Sequence, residues 1–288
     1  MMSRMKISRG LLIAVAALAV TIGSTATGPV PVAAAASNAE PSFEVKLNLV
    51  AGALDASGAP NADVRTTFGL GGSAKALAYE YFDTAPLDLN GAGWSVRLRH
   101  KDGSSFDLNY KKRFPVVDGD LDAALTKANQ QGFDSSDTNY DAQVDWTYDK
   151  MTLSFANKKS ASAKGYQGTA LPAEAEARRI LVDQIPGKLQ NWSGSNWGKT
   201  ELADSRQYGP VQAKSWSGSW QGADLDVEVV PVRNAAGDGT ETIIELSFKT
   251  DTSAQASALR DQAISTLRSK GWLAPTDVLK TDLILHRY

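Results

Sequence analysis

The 288-residue chain contains no cysteine and only two histidines, His100 and His286. Without thiols it can form no disulfide and carry no thiol-linked lipid, so an exported domain of this composition must be held by its core alone. The two histidines offer no basis for a catalytic triad or zinc site, and rim or surface positions are expected for both. There is no G-x-S-x-G elbow, which argues against a serine hydrolase. FGLGGSAKA, Phe68 to Ala76, is glycine-rich like a phosphate loop, but it lacks the GK[ST] ending and precedes a strand, so it reads as a flexible turn. The chain also lacks an excess of positive charge: at a formal net charge of -2 no nucleic-acid partner is expected, and any cation set for an anion has to be local.

Long apolar runs are nearly absent as well. The one that stands out, Leu11 to Ile22, follows Arg4, Lys6 and Arg9 and precedes small residues ending in an A-x-A pattern near Ala36. This is the plan of an export signal. Residues 1–36 are therefore expected to be a removed signal peptide and 37–41 a short linker, with an uncleaved anchor as the alternative. The mature protein is expected to be secreted or held in the cell envelope, with no membrane contact after cleavage. The sequence assigns no oligomeric state.

From Ser42 onward the apolar pattern has period two. FEVKLNL, KALAYEYFDT, GWSVRLRHK and FDLNYKKRF read as strands, the last two joined by turn residues Asp102 to Ser105. YDAQVDWTY, KMTLSFA, VQAKSWSGSW, ADLDVEVVPV and ETIIELSFKT follow in the same style. Helical periodicity is confined to Asp120–Gln131, Ala173–Gln184 and Ser253–Lys270, the last with Thr252 or Ser253 as its cap and Gly271 at its end. A single domain over 42–288 results, mainly β with a few covering helices, carrying polar insertions near 119–138 and 158–171.

Read by parity, several strands place apolar residues on one face and charges of both signs on the other. Glu44 and Lys46 share a face, as do Arg97, Arg99 and Lys101, then Asp107, Asn109, Lys111 and Arg113. Later strands repeat this with Asp224, Asp226 and Glu228, and with Glu245, Ser247 and Lys249. One such strand is an ordinary wet-faced antiparallel strand. The set reads differently, because arginines and lysines concentrate on two neighbouring strands and carboxylates on two later ones. If the sheet closes, one side of every strand faces a lumen. A lumen of this kind would be costly if dry, so it is expected to hold water, metal and an anion.

Arg97, Arg99, Lys111 and Arg113 are suited to phosphate oxygens, arginine giving bidentate contacts. Glu44, Glu228 and Glu245, with Asp226 in support, are candidate ligands for Mg2+ or Mn2+. Asp145 and Asp149 in VDWTYDK could extend the acidic set but read as a solvated hairpin face. Trp192, Trp197, Trp216 and Trp220 are expected to cover the outside of a barrel, with ligand stacking as the alternative.

YEYFDTAPLDLNGAGWSVRLRHKDG resembles the central signature of the CYTH superfamily, the triphosphate tunnel metalloenzymes, with its Y-[FY]-D-T-P-x-L-x-L stretch and L-R-x-R strand. FEVKLNL is similar to that family's first strand, ExExK, with Glu44 and Lys46 in the last two places. DLNYKKR resembles its fourth strand, TELADSRQYGPVQAKSW the strand pair that brings in Arg206 and Lys214, and IIELSFKTD and VLKTDLIL, with Lys280, its closing elements. The resemblance spans nearly the whole mature chain.

It implies a closed antiparallel eight-stranded tunnel barrel that binds tripolyphosphate, polyphosphate or a nucleoside triphosphate with one or two Mg2+ or Mn2+ ions, and hydrolyses the terminal phosphate. In that expectation Arg97, Arg99, Lys111, Arg113, Arg206, Lys214 and Lys280 bind phosphate. Lys46 and Glu44 act at the terminal group, and Glu44, Glu228, Glu245 and Asp226 hold metal. Ser42 stands where the family has the first glutamate of ExExK, and Ile243 and Ser247 replace two glutamates of its late strand. Fewer metal-binding carboxylates remain, so a non-catalytic polyphosphate- or organic-anion-binding module is the alternative.

Overall fold

A computed structural model describes residues 36–288, and the signal-peptide expectation lies outside the described residues but for Ala36. All nine period-two runs are strands: β1 (Ser42–Leu49), β2 (Lys75–Asp83), β3 (Trp94–Lys101), β4 (Ser105–Pro115), β5 (Asp141–Trp146), β6 (Met151–Ser162), β7 (Arg206–Trp220), β8 (Ala223–Arg233) and β9 (Thr240–Thr250). The helices are α1 (Ala62–Phe68), α2 (Asp88–Gly91), α3 (Leu121–Gln130), α4 (Glu174–Asp183), α5 (Gly187–Gln190), α6 (Trp197–Ala203), α7 (Ser253–Ser269) and α8 (Lys280–Arg287). The three predicted helices are α3, α4 and α7. Asp120 and Thr252 cap α3 and α7, accepting from Ala123 N and Gln255 N. The unpredicted α1 has the same device, Asn61 accepting from Val64 N, inside a stretch whose glycines and alanines mask its short period.

The strands close into a barrel in the order β1-β5-β6-β4-β3-β2-β7-β8-β9, with β9 returning to β1. This corrects the expected eight-stranded antiparallel barrel in two respects. Among the described residues there are nine strands, and β5 runs parallel to β1 while pairing antiparallel with β6. The chain crosses between β4 and β5 through α3, which lets β5 enter beside β1 in the same direction; a parallel neighbour requires such a crossover. The polar insertion expected at 158–171 also needs correction, since residues 158–162 continue β6 and Lys158 pairs in register with Asn109 of β4. Residues 37–41 do not hang free: Ser37 O accepts from Ser135 N at 2.9 Å, and Asn129 Nδ2 reaches Asn38 Oδ1 at 3.0 Å.

The outward strand faces form the main core under the helices, where Val45, Leu47, Val96 and Leu98 are fully buried and Ala263 and Leu267 come from α7. A second core lies at one end of the barrel: Tyr79, Tyr81, Tyr208, Val211, Val230, Val232 and Ile243 enclose Ile284 and Leu285 of α8. The closing segment VLKTDLIL is thus a helix that fills part of that end with apolar side chains. Among the described residues no helix is long and apolar enough to cross a membrane.

His100 corrects the expectation of a rim position. It is fully buried on the outer face of β3, its ring nitrogens 2.7 Å from Ala170 O and 3.1 Å from Gly103 O. Glu80, also on an outer face, is fully buried, and one of its oxygens has no partner while the other accepts from Gln207 Nε2. Burial raises its carboxyl from 4.5 to about 7, against the Gln207 hydrogen bond and with a small push from Glu174. The folded state therefore binds more protons than the unfolded chain between pH 4.5 and about 7, and stability falls as pH rises through that window. Urea titrations should show about 3 kcal/mol of this loss removed in Glu80→Gln; an unchanged pH slope would assign it to other groups.

Candidate functional site

The inward face of the barrel lines a cavity of about 1110 Å³, above the common range of about 300–1,000 Å³ for small-ligand pockets. Its lining runs from Lys75, Lys101 and Lys158 at one rim to Lys150, Thr152 and Asp282 at the other. Twelve of the lining residues are lysine or arginine and nine are aspartate or glutamate. The cavity is thus net positive inside a chain of net charge -2, which supplies the local cation set that an anion requires.

Strict alternation explains how the sequence builds this wall. With Val96 and Leu98 turned out into the core, Ser95, Arg97 and Arg99 turn in; with Leu108 and Tyr110 out, Asp107, Asn109, Lys111 and Arg113 turn in. Register then sets neighbours, pairing Arg97 with Asn109, Ser95 with Lys111, and Glu228 with Glu245.

Arg97 and Arg113 differ from the other cations. Neither has a carboxylate partner among the described residues. Arg97 Nε is buried with no hydrogen-bond partner, and the guanidinium carbon lies 5.9 Å from the centre of the Tyr79 ring. Arg113 donates only to hydroxyls, Ser95 Oγ at 2.7 Å and Thr281 Oγ1 at 3.4 Å. Arg99, by contrast, is held at Asp107 Oδ2 by Nε at 3.1 Å and Nη2 at 2.9 Å.

Two lysine-centred groups complete the wall. Lys46 Nζ stands 3.0 Å from Glu44 Oε2 and 2.7 Å from Asp145 Oδ1, while Lys111 Nζ is 2.6 Å from Asp145 Oδ2. On the adjoining β8–β9 pair, Lys280 Nζ bridges Glu228 at 2.9 Å and Glu245 at 2.8 Å. Burial opposes the charged form of Asp145, but Lys46 and Lys111 outweigh it and hold the carboxyl well below its ordinary value. Burial likewise lowers Lys111 to about 8, partly offset by Asp145. For Lys46 and Lys280 burial is outweighed by their carboxylates, which hold both above the ordinary lysine value.

Of the predicted residues, Glu44, Lys46, Arg97, Arg99, Lys111, Arg113, Glu228, Glu245, Asp226 and Lys280 line the cavity. Asp226 lies in an exposed part of the wall, accepting from Ser217 Oγ at 2.7 Å. Arg206 and Lys214 do not line it, which corrects their assignment. Lys214 pairs with Ala76 and Val229 on the outward face of β7, whose inward positions are Ser215 and Ser217. Arg206 lies over the Tyr208 ring at 3.8 Å and donates to Tyr288 O at 3.0 Å. Both assignments come from the family resemblance; the register shift of β7 against β2 between Tyr79 and Tyr81 leaves Lys214 on the outward face, while Arg206 pairs with Asp83 at the end of the strand.

The largest omission is Asp145, which is buried in the lumen and not on a solvated hairpin face, whereas Asp149 is exposed. The signal was present in DAQVDW, where Asp141, Gln143 and Asp145 alternate with Ala142, Val144 and Trp146. Tyr81 was also missed. Burial alone would raise its phenol, but Arg97, the hydrogen bond from Thr281, Arg113 and Lys280 hold it below its ordinary value. The four tryptophans expected on the outside do not line the cavity.

The donor set does not fit a resident divalent ion. Among the described residues no group of three or more His, Asp or Glu side chains stands close enough to hold one. The carboxylates that face each other already share an ammonium.

No protein-family model matches the chain, and no curated protein matches it. Among solved structures it is similar to a candidate adenylate cyclase from Bacillus halodurans, at 13% identity and a TM-score of 0.48, covering 83% of this chain and 95% of that one. It is also similar to a candidate adenylyl cyclase from Hippeastrum, described as having a dominant triphosphatase activity, at 14% identity and a TM-score of 0.45, covering 84% and 93% of the two chains. A protein from Pyrococcus horikoshii gives 13% identity and a TM-score of 0.41, with 85% and 99% covered. The closed barrel is established by this chain's own strand pairing.

Proposed function

We propose that the barrel is a receptor for a linear phosphate chain, of the tripolyphosphate or polyphosphate type or the triphosphate of a nucleotide. The observation that carries this reading is the pair Arg97 and Arg113, inward-facing guanidiniums without carboxylate partners on the wall of a net-positive cavity. A planar guanidinium matches two oxygens of one phosphate, and a partly desolvated one strengthens that contact. Lys111, adjacent to Arg113 on the same inward face of β4, extends the cation row, and the rim lysines Lys75, Lys101, Lys158 and Lys159 favour entry of a polyanion. The cavity exceeds the needs of a single orthophosphate. In this reading the protein works outside the cytoplasm, as the basic, apolar, small-residue order of its first residues supports.

The test is a chain-length series, with thermal unfolding followed in the presence of orthophosphate, pyrophosphate, tripolyphosphate and longer polyphosphate. Stabilisation should rise steeply from orthophosphate to tripolyphosphate, because a ligand that binds only the folded state stabilises it according to its affinity. Equal shifts for all four would mean nonspecific anion binding.

A second reading is hydrolysis of the terminal phosphate, favoured by the presence of Glu44, Glu228 and Glu245 in the same cavity as the arginines. Such chemistry would depend on positioning the chain and a water and on neutralising charge, with no covalent intermediate. Orthophosphate release from tripolyphosphate with added Mg2+ or Mn2+ distinguishes an enzyme from a binding module.

A further inference from the structure

Glu228 and Glu245 stand directly opposite each other in the β8–β9 register, and like charges in that position repel. The repulsion is relieved by Lys280 of α8, whose ammonium lies 2.9 Å from one carboxylate and 2.8 Å from the other. On the adjoining β1–β5 wall, where Asn48 pairs with Glu245 in the β1–β9 register, Lys46 takes the same place between Glu44 and Asp145, at 3.0 Å and 2.7 Å, and the Gln143 amide donates to both acids at 2.7 Å and 2.8 Å. Each convergence of carboxylates in the lumen is therefore centred on a lysine belonging to the chain itself.

A divalent ion placed at either centre would meet an ammonium at contact distance, and Mg2+ in particular demands a near-octahedral set of oxygens. The positions that could have supplied more donors are committed elsewhere. Ile243 belongs to the apolar cluster that encloses Ile284 and Leu285 of α8, and Ser42 Oγ donates to Ala142 O at 3.4 Å. Ser247 contributes only a hydroxyl to the wall.

We infer that the tunnel takes its polyanion without a resident divalent ion, Lys280 and Lys46 serving as tethered cations at the two carboxylate centres. This rests on the phosphate-chain reading above. The apo tunnel is already charge-compensated at both centres, and Arg97 and Arg113 remain for the incoming anion. The α8 helix thereby has a second role beyond its apolar contacts, since it delivers one of the two cations.

Calorimetric titration of the wild-type protein with tripolyphosphate, once with EDTA and once with excess Mg2+, tests this directly. Affinity in EDTA is expected to equal or exceed that with Mg2+, which competes for the polyanion. Mn2+ added alone should show no bound fraction by electron paramagnetic resonance. In Lys280→Met, which frees Glu228 and Glu245, a bound Mn2+ fraction should appear. Tripolyphosphate binding that vanishes in EDTA and returns with Mg2+, or Mn2+ binding by the wild type alone, would overturn the inference while leaving the phosphate-chain reading intact. No binding in either arm would remove that reading and this inference with it. The wild-type arms decide the matter even where the Lys280→Met variant folds poorly.

Discussion

Asp145→Asn is expected to lower the stability of the free protein by about 3–5 kcal/mol, the usual cost of removing one partner from a buried ion pair. The change is nearly isosteric, so packing is preserved and only the charge is lost. Two part-buried ammoniums depend on that charge, Lys46 at 2.7 Å and Lys111 at 2.6 Å. Lys46 then keeps only Glu44, at 3.0 Å, and Lys111 loses its one ion-pair partner among the described residues. A bound tripolyphosphate supplies the missing negative charge, so the variant should gain more stability from the ligand than the wild type does. Urea titration with and without tripolyphosphate measures both quantities. A variant as stable as the wild type would mean that the lysines find other partners or water in the absence of Asp145.

The second large effect concerns affinity. Arg97→Ala and Arg113→Ala are each expected to weaken tripolyphosphate binding by about 100-fold or more, since truncating a charged partner in a desolvated contact costs about 2–5 kcal/mol. Arg97→Lys should restore only part of this, because an ammonium is a point charge without the planar fork. Lys214→Ala is the matched control, as it removes a cation of the same chain from the outside of the barrel, and its affinity should stay within about twofold. Equal losses at Arg97 and Lys214 would place the anion on the outer surface.

The extent to which the site could be read in advance followed the strength of the alternation. β1, β3, β4, β8 and β9 alternate cleanly over seven or more residues, and their inward charges fell where parity put them. β7 does not; Arg206 and Lys214 came from the family resemblance alone, and the shift near Gly209 and Pro210 leaves Lys214 on the outward face while Arg206 packs on Tyr208 at the strand end. Asp145 was obscured by composition: a short strand ending in VDWTYDK looks like an exposed hairpin until its parallel pairing with β1 places it against Glu44. The ninth strand was visible as a run of residues, while the count of eight came from the family resemblance alone. The role of Lys280 as a bridge was not legible, since it depends on α8 folding back into the barrel end more than 30 residues after Glu245.

Residue type alone also hid the ion pairing. Glu44, Glu228 and Glu245 have the chemistry of metal ligands, and only distances show that each already holds a lysine. The same distances single out Arg97 and Arg113, which look no different from Arg99 in sequence yet lack its aspartate.

A crystal structure of the protein grown with tripolyphosphate tests the central claim most directly. The expected result is one phosphate chain inside the barrel, with oxygens on the Arg97 and Arg113 guanidiniums and the chain running toward the Lys75 and Lys101 rim. Phosphate bound only at outward-facing residues such as Lys214, with the lumen arginines untouched, would contradict it.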